Sequence, residues 1–218
     1  MSALEPQRAA PRLVILAAGA SRRLGECKAL VDIAGSTPLE RLLHAATGLG
    51  DALPIVVTGA DHAAITARGP YQAEILHNPD WTLGATSGVR RAHAACLDRD
   101  LCLAPVDVPL VPRRVFVALF EAWADAGAPE RGWLAPRYAP ADSQVRSEET
   151  SARRFGHPVI AGRRLLDLID TSATLQDLRA RADRWLSVAV SDPEILDDLD
   201  TREDLTRLRA RAQHRSTR

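Results

Sequence analysis

The residues best suited to chemistry lie in a short glycine-containing segment near the start of the chain. Residues 16–28 read L-A-A-G-A-S-R-R-L-G-E-C-K, and they begin at the last residue of the apolar run 13–16. Small residues allow the backbone to approach a ligand closely, and successive N–H groups in such a loop bind phosphate oxygens. Arg23 and Lys28 add positive charge, so the segment predicts a phosphate-binding loop. A glycine-rich turn with solvated arginines is the alternative interpretation.

The spacing of this loop disfavours two common phosphate-binding motifs. Its two glycines and its lysine follow the pattern G-x5-G-x2-K. A Walker P-loop has Lys and then Ser or Thr directly after its second glycine, and a dinucleotide fingerprint reads G-x-G-x-x-G. The loop therefore favours neither a P-loop NTPase nor a Rossmann dinucleotide-binding enzyme.

A carboxylate later in the chain suits a metal. Asp107 stands shortly after the apolar run 101–104 and directly before Val108-Pro109. Magnesium prefers hard oxygen ligands, and one or two carboxylates are enough when substrate phosphates and water complete its shell. An aspartate before a proline also suits a turn or a cap, so both interpretations remain open.

A second acidic segment lies near the C-terminus, where residues 198–205 read D-L-D-T-R-E-D-L. From the residues alone it suits the start of a helix, with Asp200 or Thr201 as the cap and with Glu203 and Asp204 favoured by the helix dipole.

The elements that must position these residues alternate between two hydrophobic periods. Apolar, β-branched runs at 13–16, 54–57, 73–77, 101–104 and 185–190 predict strands. Helical periods cover 38–43, 89–96, 115–123 and 203–208, and a further helix starts near residue 61. This alternation predicts a mostly parallel, Rossmann-like sheet in a three-layer α/β/α sandwich. Ligands bind at the carboxyl ends of such strands, so we expect the loop and Asp107 to meet there.

Length and composition indicate an ordinary globular protein. The 218 residues suit one domain, with a core at about 12–210 and without internal repeats or an interdomain linker. We expect a mobile excursion at 139–154, where polar residues dominate, and a frayed basic tail over 209–218, or at least from 211. Lys+Arg and Asp+Glu both number 28, and this neutral balance argues against a nucleic-acid partner.

Neither a membrane nor an oxidising compartment is indicated. The longest apolar run, residues 13–20, is much shorter than the roughly 20 residues of a membrane span. Cys27, Cys96 and Cys102 form no C-x-x-C pair, which favours a reducing cytoplasm. Cys27 lies inside the phosphate-binding loop, and an inert thiol is favoured there over a reactive one.

The loop resembles the L-A-A-G-x-S-x-R-x-G-x-x-K signature of the nucleotidyltransferases that act on molybdenum cofactor and related substrates, and every fixed position matches. The resemblance implies a fold of the nucleotide-diphospho-sugar transferase type. It also implies that the loop binds a triphosphate whose charge Arg23 and Lys28 neutralise. The Ala17-Ala18 pair is typical of cytidylyltransferases, since guanylyl relatives tend to carry L-A-G-G, and so favours CTP.

Both acidic segments are similar to motifs of the same family. Asp107-Val108-Pro109 matches its D-x-P motif, whose aspartate binds the metal, which implies Mg²⁺ as the cofactor. Family members usually have glycine before this aspartate, whereas Val106 stands here. Residues 198–205 are similar to D-I-D-T-P-E-D-L, and we favour Asp200 over Asp198 as a second metal ligand.

Two further stretches resemble the family. Residues 78–87 are expected to line the base and ribose, although the family's G-M-x-S-S-L has a hydroxyl where this chain has Gly88. Residues 156–159 read G-H-P-V, which is typical of the cytidylyltransferase branch and faces its acceptor substrate. His157 is expected to hydrogen-bond a phosphate or a pterin edge. A purely structural histidine beside a proline is the alternative.

The resemblance implies a complete set of site residues. The catalytic residues are Arg23, Lys28 and Asp107. The nucleotide-binding residues are Leu16, Ala17, Ala18, Gly19, Ser21, Arg23, Lys28, Thr58, Gly59, Asn78, Gly84 and Ser87. The metal ligands are Asp107 and Asp200. The acceptor-binding residues are Gly156, His157 and Pro158.

The implied reaction transfers CMP from CTP to the phosphate of a molybdopterin-type acceptor and releases pyrophosphate. A molybdoenzyme or its maturation chaperone is an implied partner. Two alternatives keep the chemistry: a guanylyltransferase of the same pathway, and a sugar-phosphate or polyol-phosphate nucleotidyltransferase. A non-catalytic carrier of molybdenum cofactor is an alternative of another class.

Overall fold

A seven-stranded sheet forms the centre of the computed structural model, which describes residues 8–140, 155–169 and 174–216. The strands are β1 (Arg12–Ala17), β2 (Ile55–Thr58), β3 (Glu74–His77), β4 (Leu101–Pro105), β5 (Gly132–Tyr138), β6 (Val159–Ala161) and β7 (Arg184–Val190). Their order in space is β3-β2-β1-β4-β6-β5-β7. Only β6 runs antiparallel to its neighbours among these strands. The predicted mostly parallel sheet is confirmed.

Helices cover both faces of this sheet. In the described ranges they are α1 (Pro38–Ala45), α2 (His62–Arg68), α3 (Ala85–Ala95), α4 (Arg113–Asp125), α5 (Arg163–Leu166), α6 (Leu175–Ala180) and α7 (Arg202–Ser216). Leu39 of α1 and Phe116 of α4 are buried in one apolar cluster, and Val89 of α3 and Leu178 of α6 in another. The two clusters lie on opposite faces of the sheet, which gives the predicted three layers.

The central strands form where the sequence is apolar without interruption. Val14, Ile15 and Val56 are all 0% exposed, as expected for parallel strands that are covered on both faces. The helix α1 then begins with a capping box. The Thr37 hydroxyl accepts a hydrogen bond from Glu40 N at 3.2 Å, and the Glu40 carboxylate accepts one from Thr37 N at 2.8 Å.

Two strands in the second half of the sheet were not predicted. No strand was expected at β5 or β6 and no helix at α5 or α6, whereas β7 matches the strand expected at 185–190. Pro136 lies inside β5, where a proline normally argues against a strand, and β6 has only 3 residues. The short helix α6 does carry a sequence signal, because Thr174 and Asp177 form a capping box at its start.

Two helices, α3 and α7, extend well beyond their predicted bounds. The helix α3 starts at Ala85 instead of residue 89, directly after Gly84, whose φ of 95° is accessible to glycine. The helix α7 continues to Ser216 instead of ending at residue 208. Ala212 packs in a third apolar cluster, which explains why the segment after residue 208 is helical and not frayed through that point. Residues 217–218 lie outside the described part.

Most of the predicted excursion at 139–154 also falls outside the described residues, since 141–154 are not among them. None of the helices described here is both long enough and apolar enough to cross a membrane.

Candidate functional site

A cleft of about 600 Å³ opens at the carboxyl ends of the parallel strands. On the side of β1 and β4 its lining includes Leu16, Ala18, Gly19, Gly84, Gly88, Asp107, Asp198 and Asp200. On the side of β5 and β6 it includes Trp133, Phe155, Gly156, His157, Gln176 and Arg179. Because β6 is antiparallel, its amino end and the preceding Gly156-His157 reach the same edge. The loop and Asp107 therefore lie at the same edge of the sheet, where the sequence places them, and His157 lines the same cleft.

The loop after β1 turns back toward the end of β4. Ser21 takes a left-handed conformation with φ of 51°, and its hydroxyl accepts a hydrogen bond from Lys28 N at 3.1 Å. A smaller pocket of about 100 Å³ lies against the main cleft and is lined by residues that include Ala17, Gly19, Ser21, Lys28 and Asp107. The predicted phosphate-binding loop thus forms a small polar recess beside Asp107.

Four charged residues cluster at this recess. Lys28 Nζ donates a hydrogen bond to Asp200 and lies 3.6 Å from Asp107 Oδ2, and Arg23 Nη2 lies 2.7 Å from Asp200 Oδ2. Leu199 N donates to the carbonyl of Asp107 at 2.7 Å, which ties the segment before α7 to the end of β4. The two predicted cations and the two predicted metal ligands are therefore paired with each other.

Lys28 is also unusual in the composition of the chain, because it is the only lysine among the 28 Lys and Arg residues. Its side chain is 16% exposed, against 71% for Arg23. A compact ammonium on a flexible stem differs from a guanidinium in both size and hydrogen-bond geometry. The narrow space between Asp107 and Asp200 suits the smaller group.

The two neighbouring aspartates of the C-terminal segment lie in opposite electrostatic environments. The hydrogen bond from Lys28, helped by the charges of Lys28 and Arg23, lowers the pKa of Asp200 although partial burial opposes it. Partial burial and then the negative charges of Asp107 and Asp200 raise the pKa of Asp198. The negative charge of Asp200 is thus compensated by two close cations, whereas at Asp198 burial and the two neighbouring carboxylates outweigh the attraction of Lys28.

These carboxylates fit a metal that is shared with a substrate. No group of three or more metal-ligating side chains in the described ranges forms a complete centre. Asp107 nevertheless lies close enough to Asp198 for its charge to raise the pKa of Asp198. Magnesium commonly takes one or two carboxylates together with phosphate oxygens and water. Asp200 is already paired with Lys28 and Arg23, so Asp107 and Asp198 are better placed than Asp200 to hold a cation in this conformation.

Some predicted nucleotide-binding residues support the wall of the cleft from behind. Thr58 is 0% exposed, and its hydroxyl lies 2.8 Å from Nδ1 of His62. Asn78 is 2% exposed and donates to the Ser87 hydroxyl at 2.9 Å. Ser87 in turn donates to the carbonyl of Gly84 at 2.7 Å. Asn78 and Ser87 thus fix the start of α3, whereas Thr58 contacts the start of α2. None of these three polar side chains lines the cleft.

Gly59 has a packing role as well. A Cβ at Gly59 would lie 2.5 Å from the carbonyl oxygen of Ala18 and 2.6 Å from Cβ of Trp81, closer than real Cβ atoms come. The amide of Ala60 donates to the same Ala18 carbonyl at 3.0 Å. Gly59 therefore allows the end of β2 to hold the phosphate-binding loop in place, and Ala18 itself lines the cleft.

Val106 and Gly88, the two positions that depart from the family motifs, leave the cleft intact. Val106 is buried, and its amide donates to the carbonyl of Leu16 at 3.1 Å, so the pairing of β1 and β4 continues up to Asp107. Gly88 lines the cleft, and a Cβ there would meet Val57 and Leu16 only at 3.5 and 3.6 Å. The missing hydroxyl at Gly88 leaves space without distorting α3.

The predicted acceptor-binding segment is held tightly. Gly156 N donates to the carbonyl of Pro136 and His157 N to the carbonyl of Ile195, both at 3.0 Å. A Cβ at Gly156 would lie 2.1 Å from the Ile195 carbonyl oxygen, so only glycine fits there. Pro158 is buried behind the cleft, whereas Gly156 and His157 line it.

His157 is a neutral imidazole near neutral pH. Burial lowers the pKa of His157, and the charge of Asp107 opposes this shift. Its Nδ1 is buried and has no hydrogen-bond partner among the described residues. A neutral imidazole offers one donor and one acceptor, and the ring lies in the cleft near Asp107.

The surroundings of Cys27 favour an inert thiol over a reactive one. Burial, followed by the charge of Asp61, raises the pKa of the Cys27 thiol to about 11. The thiolate that a nucleophile requires is therefore scarce at neutral pH.

Sequence reasoning missed the residues on the far side of the cleft. Trp133, Phe155, Gln176 and Arg179 line it but received no role. They come from β5, from the segment before β6, and from α6, three places that are separate in the chain. A local motif marks none of them, and the capping box of α6 was the one available signal for their neighbourhood.

Comparison with known proteins agrees with this geometry. The family model described as the MobA-like NTP transferase domain matches residues 13–190. No curated protein matches the chain. Among solved structures, the manganese complex of Rv0371c from Mycobacterium tuberculosis H37Rv is 23% identical with a TM-score of 0.65, and the match covers 92% of this chain and 98% of that one.

Two further structures share the fold at lower identity. Molybdopterin-guanine dinucleotide biosynthesis protein A from Archaeoglobus fulgidus is 16% identical with a TM-score of 0.67, and the match covers 93% of this chain and 99% of that one. CMP:2-keto-3-deoxy-manno-octonic acid synthetase complexed with CTP is 17% identical with a TM-score of 0.70, and coverage is 95% and 100%. At these identities the structures show the fold alone.

The family match covers most of the chain and includes the phosphate-binding loop, Asp107 and His157. It confirms the resemblance that the loop motif indicated. The chain belongs to the MobA-like NTP transferase family and is a nucleotidyltransferase.

Proposed function

We propose that this nucleotidyltransferase transfers CMP from CTP to the phosphate of a molybdopterin-type acceptor and releases pyrophosphate. The observation that carries the proposal is the position of Lys28, whose ammonium lies between Asp200 and Asp107 beside the glycine-containing loop. The same cleft continues to His157 and a group of aromatic residues on its other side. One cleft thus offers a triphosphate site and room for an acceptor.

The reaction is an in-line displacement at the α-phosphorus of the triphosphate. An oxygen of the acceptor phosphate forms the new P–O bond, and the bond to the β-phosphate oxygen breaks as pyrophosphate leaves. The protein contributes positioning and charge stabilisation in such transfers. Backbone N–H groups near Gly19 bind phosphate oxygens. Lys28 and Arg23 leave Asp200 and stabilise the negative charge that develops on the α-phosphate and on pyrophosphate.

The carboxylates support a divalent cation, which we propose to be Mg²⁺. Asp107, together with Asp198 or Asp200, would hold it jointly with the triphosphate. When bound, the cation supplies further neutralisation of phosphate charge. The manganese complex of Rv0371c supports a divalent cation in a protein of this fold.

The preference for CTP is supported by the alanine pair of the loop. Ala18 lines the cleft, at a position where guanylyl relatives tend to carry glycine. The Ala18 side chain is packed closely against Gly59, since a Cβ at Gly59 would lie 2.9 Å from Cβ of Ala18. The methyl group therefore has little freedom to move away, and a narrower cleft favours a pyrimidine over a purine.

The proposal is tested by measuring pyrophosphate release with CTP, GTP, UTP and ATP in turn. Each assay contains Mg²⁺ and molybdenum-loaded molybdopterin, and compares the wild type with Asp107→Asn. Asp98→Asn is the matched control, because the Asp98 side chain is 79% exposed and does not line the cleft. We expect CTP-selective release that Asp107→Asn abolishes and Asp98→Asn leaves unchanged.

The other outcomes distinguish the alternatives. Release with GTP alone would assign the protein to the guanylyl branch. Release with CTP when a sugar or polyol phosphate replaces molybdopterin, and not with molybdopterin, would change the acceptor. Binding of molybdopterin without release from any nucleotide would support a carrier.

A further inference from the structure

A second compartment of the cleft lies beside β5 and α6. This aromatic compartment consists of Trp133, Phe155, Leu175, Gln176 and Arg179. Trp133 stands on β5, which is separated from β1 by β4 and β6 in the sheet. Three strand spacings of about 4.8 Å place it roughly 14 Å from the strand that carries the phosphate-binding loop. The compartment is therefore distinct from the triphosphate site, although the cleft is continuous.

Arg179 is held at this compartment by an aromatic side chain. Its guanidinium carbon lies 6.0 Å from the centroid of the Trp185 ring. Phe155 packs edge-on against the same ring, with centroids 4.5 Å apart and an interplanar angle of 89°. Trp133 is the register partner of Trp185 on the neighbouring strand. The aromatic residues thus form one connected wall, with the cation at its edge.

The charge of Arg179 is not compensated in the way that the other cations are. Lys28 and Arg23 are paired with Asp200, whereas Arg179 forms no hydrogen bond or ion pair with a described residue. Among the described residues that line the cleft, Arg179 is also the one Lys or Arg. A guanidinium presents several donors in one plane, and these suit the carbonyl and ring-nitrogen edge of a heteroaromatic compound.

The remaining lining selects a flat molecule. The half-buried Phe155 offers aromatic surface, and Trp133, which is 5% exposed, adds a small part of its ring. Such surface favours stacked or edge-on contact with another ring. A small polyol phosphate bound near Lys28 would leave these residues without contact across the roughly 14 Å between the strands. A ring that carries a phosphorylated side chain reaches from one site to the other.

We propose that Arg179 is an acceptor-recognition residue that binds the polar edge of a phosphorylated heteroaromatic compound. The ring lies against Trp133 and Phe155, and the phosphate of its side chain points toward Lys28 and Asp107. This inference rests on the proposed function for the direction of the acceptor phosphate. It adds the residue that recognises the ring of the acceptor.

The experiment uses 6-hydroxymethylpterin phosphate as the probe. Binding is followed by quenching of tryptophan fluorescence in the wild type and in Arg179→Ala, Arg179→Lys and Arg181→Ala, and CTP binding is measured separately by calorimetry. Arg181 is the matched control, since it follows α6 closely but donates to the carbonyl of Leu168 and does not line the cleft. CTP affinity reports whether each variant is folded.

We expect Arg179→Ala to raise the Kd of the pterin phosphate about tenfold or more, because charged hydrogen bonds to the ring edge are lost. Arg179→Lys should have an intermediate Kd, since it keeps the charge but not the planar donors. Arg181→Ala should bind like the wild type, and every variant should keep its CTP affinity.

Unchanged pterin phosphate binding in Arg179→Ala would overturn the inference, and so would a wild type that uses molybdopterin in catalysis but does not bind the probe. Failure of the proposed function has a different signature. If molybdopterin supports no pyrophosphate release but Arg179→Ala still selectively weakens probe binding, the recognition role of Arg179 stands and the proposed reaction falls.

Discussion

The two ends of the cleft differ in how their cations are compensated. At the phosphate-binding loop, Lys28 and Arg23 are already paired with Asp200. In the aromatic compartment, Arg179 lies over Trp185 and has no carboxylate partner within the described chain. In the proposed reaction a triphosphate would therefore replace existing ion pairs, whereas an acceptor ring would meet a guanidinium that no described carboxylate pairs with. On this proposal, nucleotide binding is an exchange of partners and acceptor binding is an addition.

Removal of Lys28 should have the largest effect on the loop end. Lys28→Ala is expected to lower kcat by ~10²–10³, by analogy with the loss of one preorganised donor to a developing charge. Lys28→Arg should not restore it, because a guanidinium does not fit the geometry between Asp107 and Asp200. Steady-state pyrophosphate release measures both. Arg22→Ala is the control, since this exposed neighbour has no proposed role; an unchanged kcat in Lys28→Ala would remove Lys28 from the mechanism.

Alanine substitutions of Gly156 and Gly19, one at each end of the cleft, should change different properties of the protein: its stability in the first case and its CTP affinity in the second. Gly156→Ala places its Cβ 2.1 Å from the Ile195 carbonyl oxygen and should cost about 1–3 kcal/mol of stability, with about 2–4 °C in Tm per kcal/mol. A Cβ at Gly19 meets no atom within 4 Å, so Gly19→Ala should leave the Tm unchanged. It should instead weaken CTP binding, because the Cβ projects where the backbone approaches phosphate.

Thermal unfolding and CTP calorimetry on both variants check this pair. Equal Tm values for Gly156→Ala and the wild type would show that the segment before β6 is less constrained than its contacts indicate. Equal CTP affinity for Gly19→Ala and the wild type would contradict the role of the loop.

Substitution of Trp185, whose ring lies beneath Arg179, should have the smallest effect, and it should act on the Kd of the pterin phosphate. Trp185→Phe weakens the cation–π contact, which is worth about 0.5–1 kcal/mol at exposed sites, so the Kd of the pterin phosphate should rise about two- to fivefold. CTP affinity should not change. Trp123→Phe is unsuitable as a control, because Trp123 is buried and donates to Asp100 at 2.9 Å. Trp81→Phe is better, since Trp81 lines the other side of the cleft; a larger effect there than at Trp185 would reverse the assignment of the two ends.

The sequence indicated the loop end well because its chemistry restricts residue types. Phosphate binding needs small residues and fixed cations, and these occur together in one segment of the chain. The buried strands were also predictable, as was the apolar face of α4, where Val115, Phe116, Leu119 and Trp123 are all buried. In these places local pattern and tertiary environment agree.

The aromatic end was not predictable for the opposite reason. Its residues come from separate segments, and a proline inside β5 hides the strand that carries Trp133. The sequence also shows that a residue is polar, but it does not show in which direction the side chain points. Thr58, Asn78 and Ser87 were expected to contact nucleotide, but their hydrogen bonds are made inside the wall. Asp200 was likewise preferred to Asp198 without knowledge of its pairing with Lys28.

We propose that both substrates bind in one cleft and react directly with each other. The most direct test is the stereochemistry of transfer from CTP that carries sulfur at one stereochemically defined α-phosphate oxygen, with molybdopterin as the acceptor. Lys28 is the only lysine, so a covalent nucleotidyl-lysine intermediate would have to form there. Direct in-line attack predicts inversion of configuration at the α-phosphorus. Retention would indicate two successive displacements through a covalent intermediate and would contradict the account.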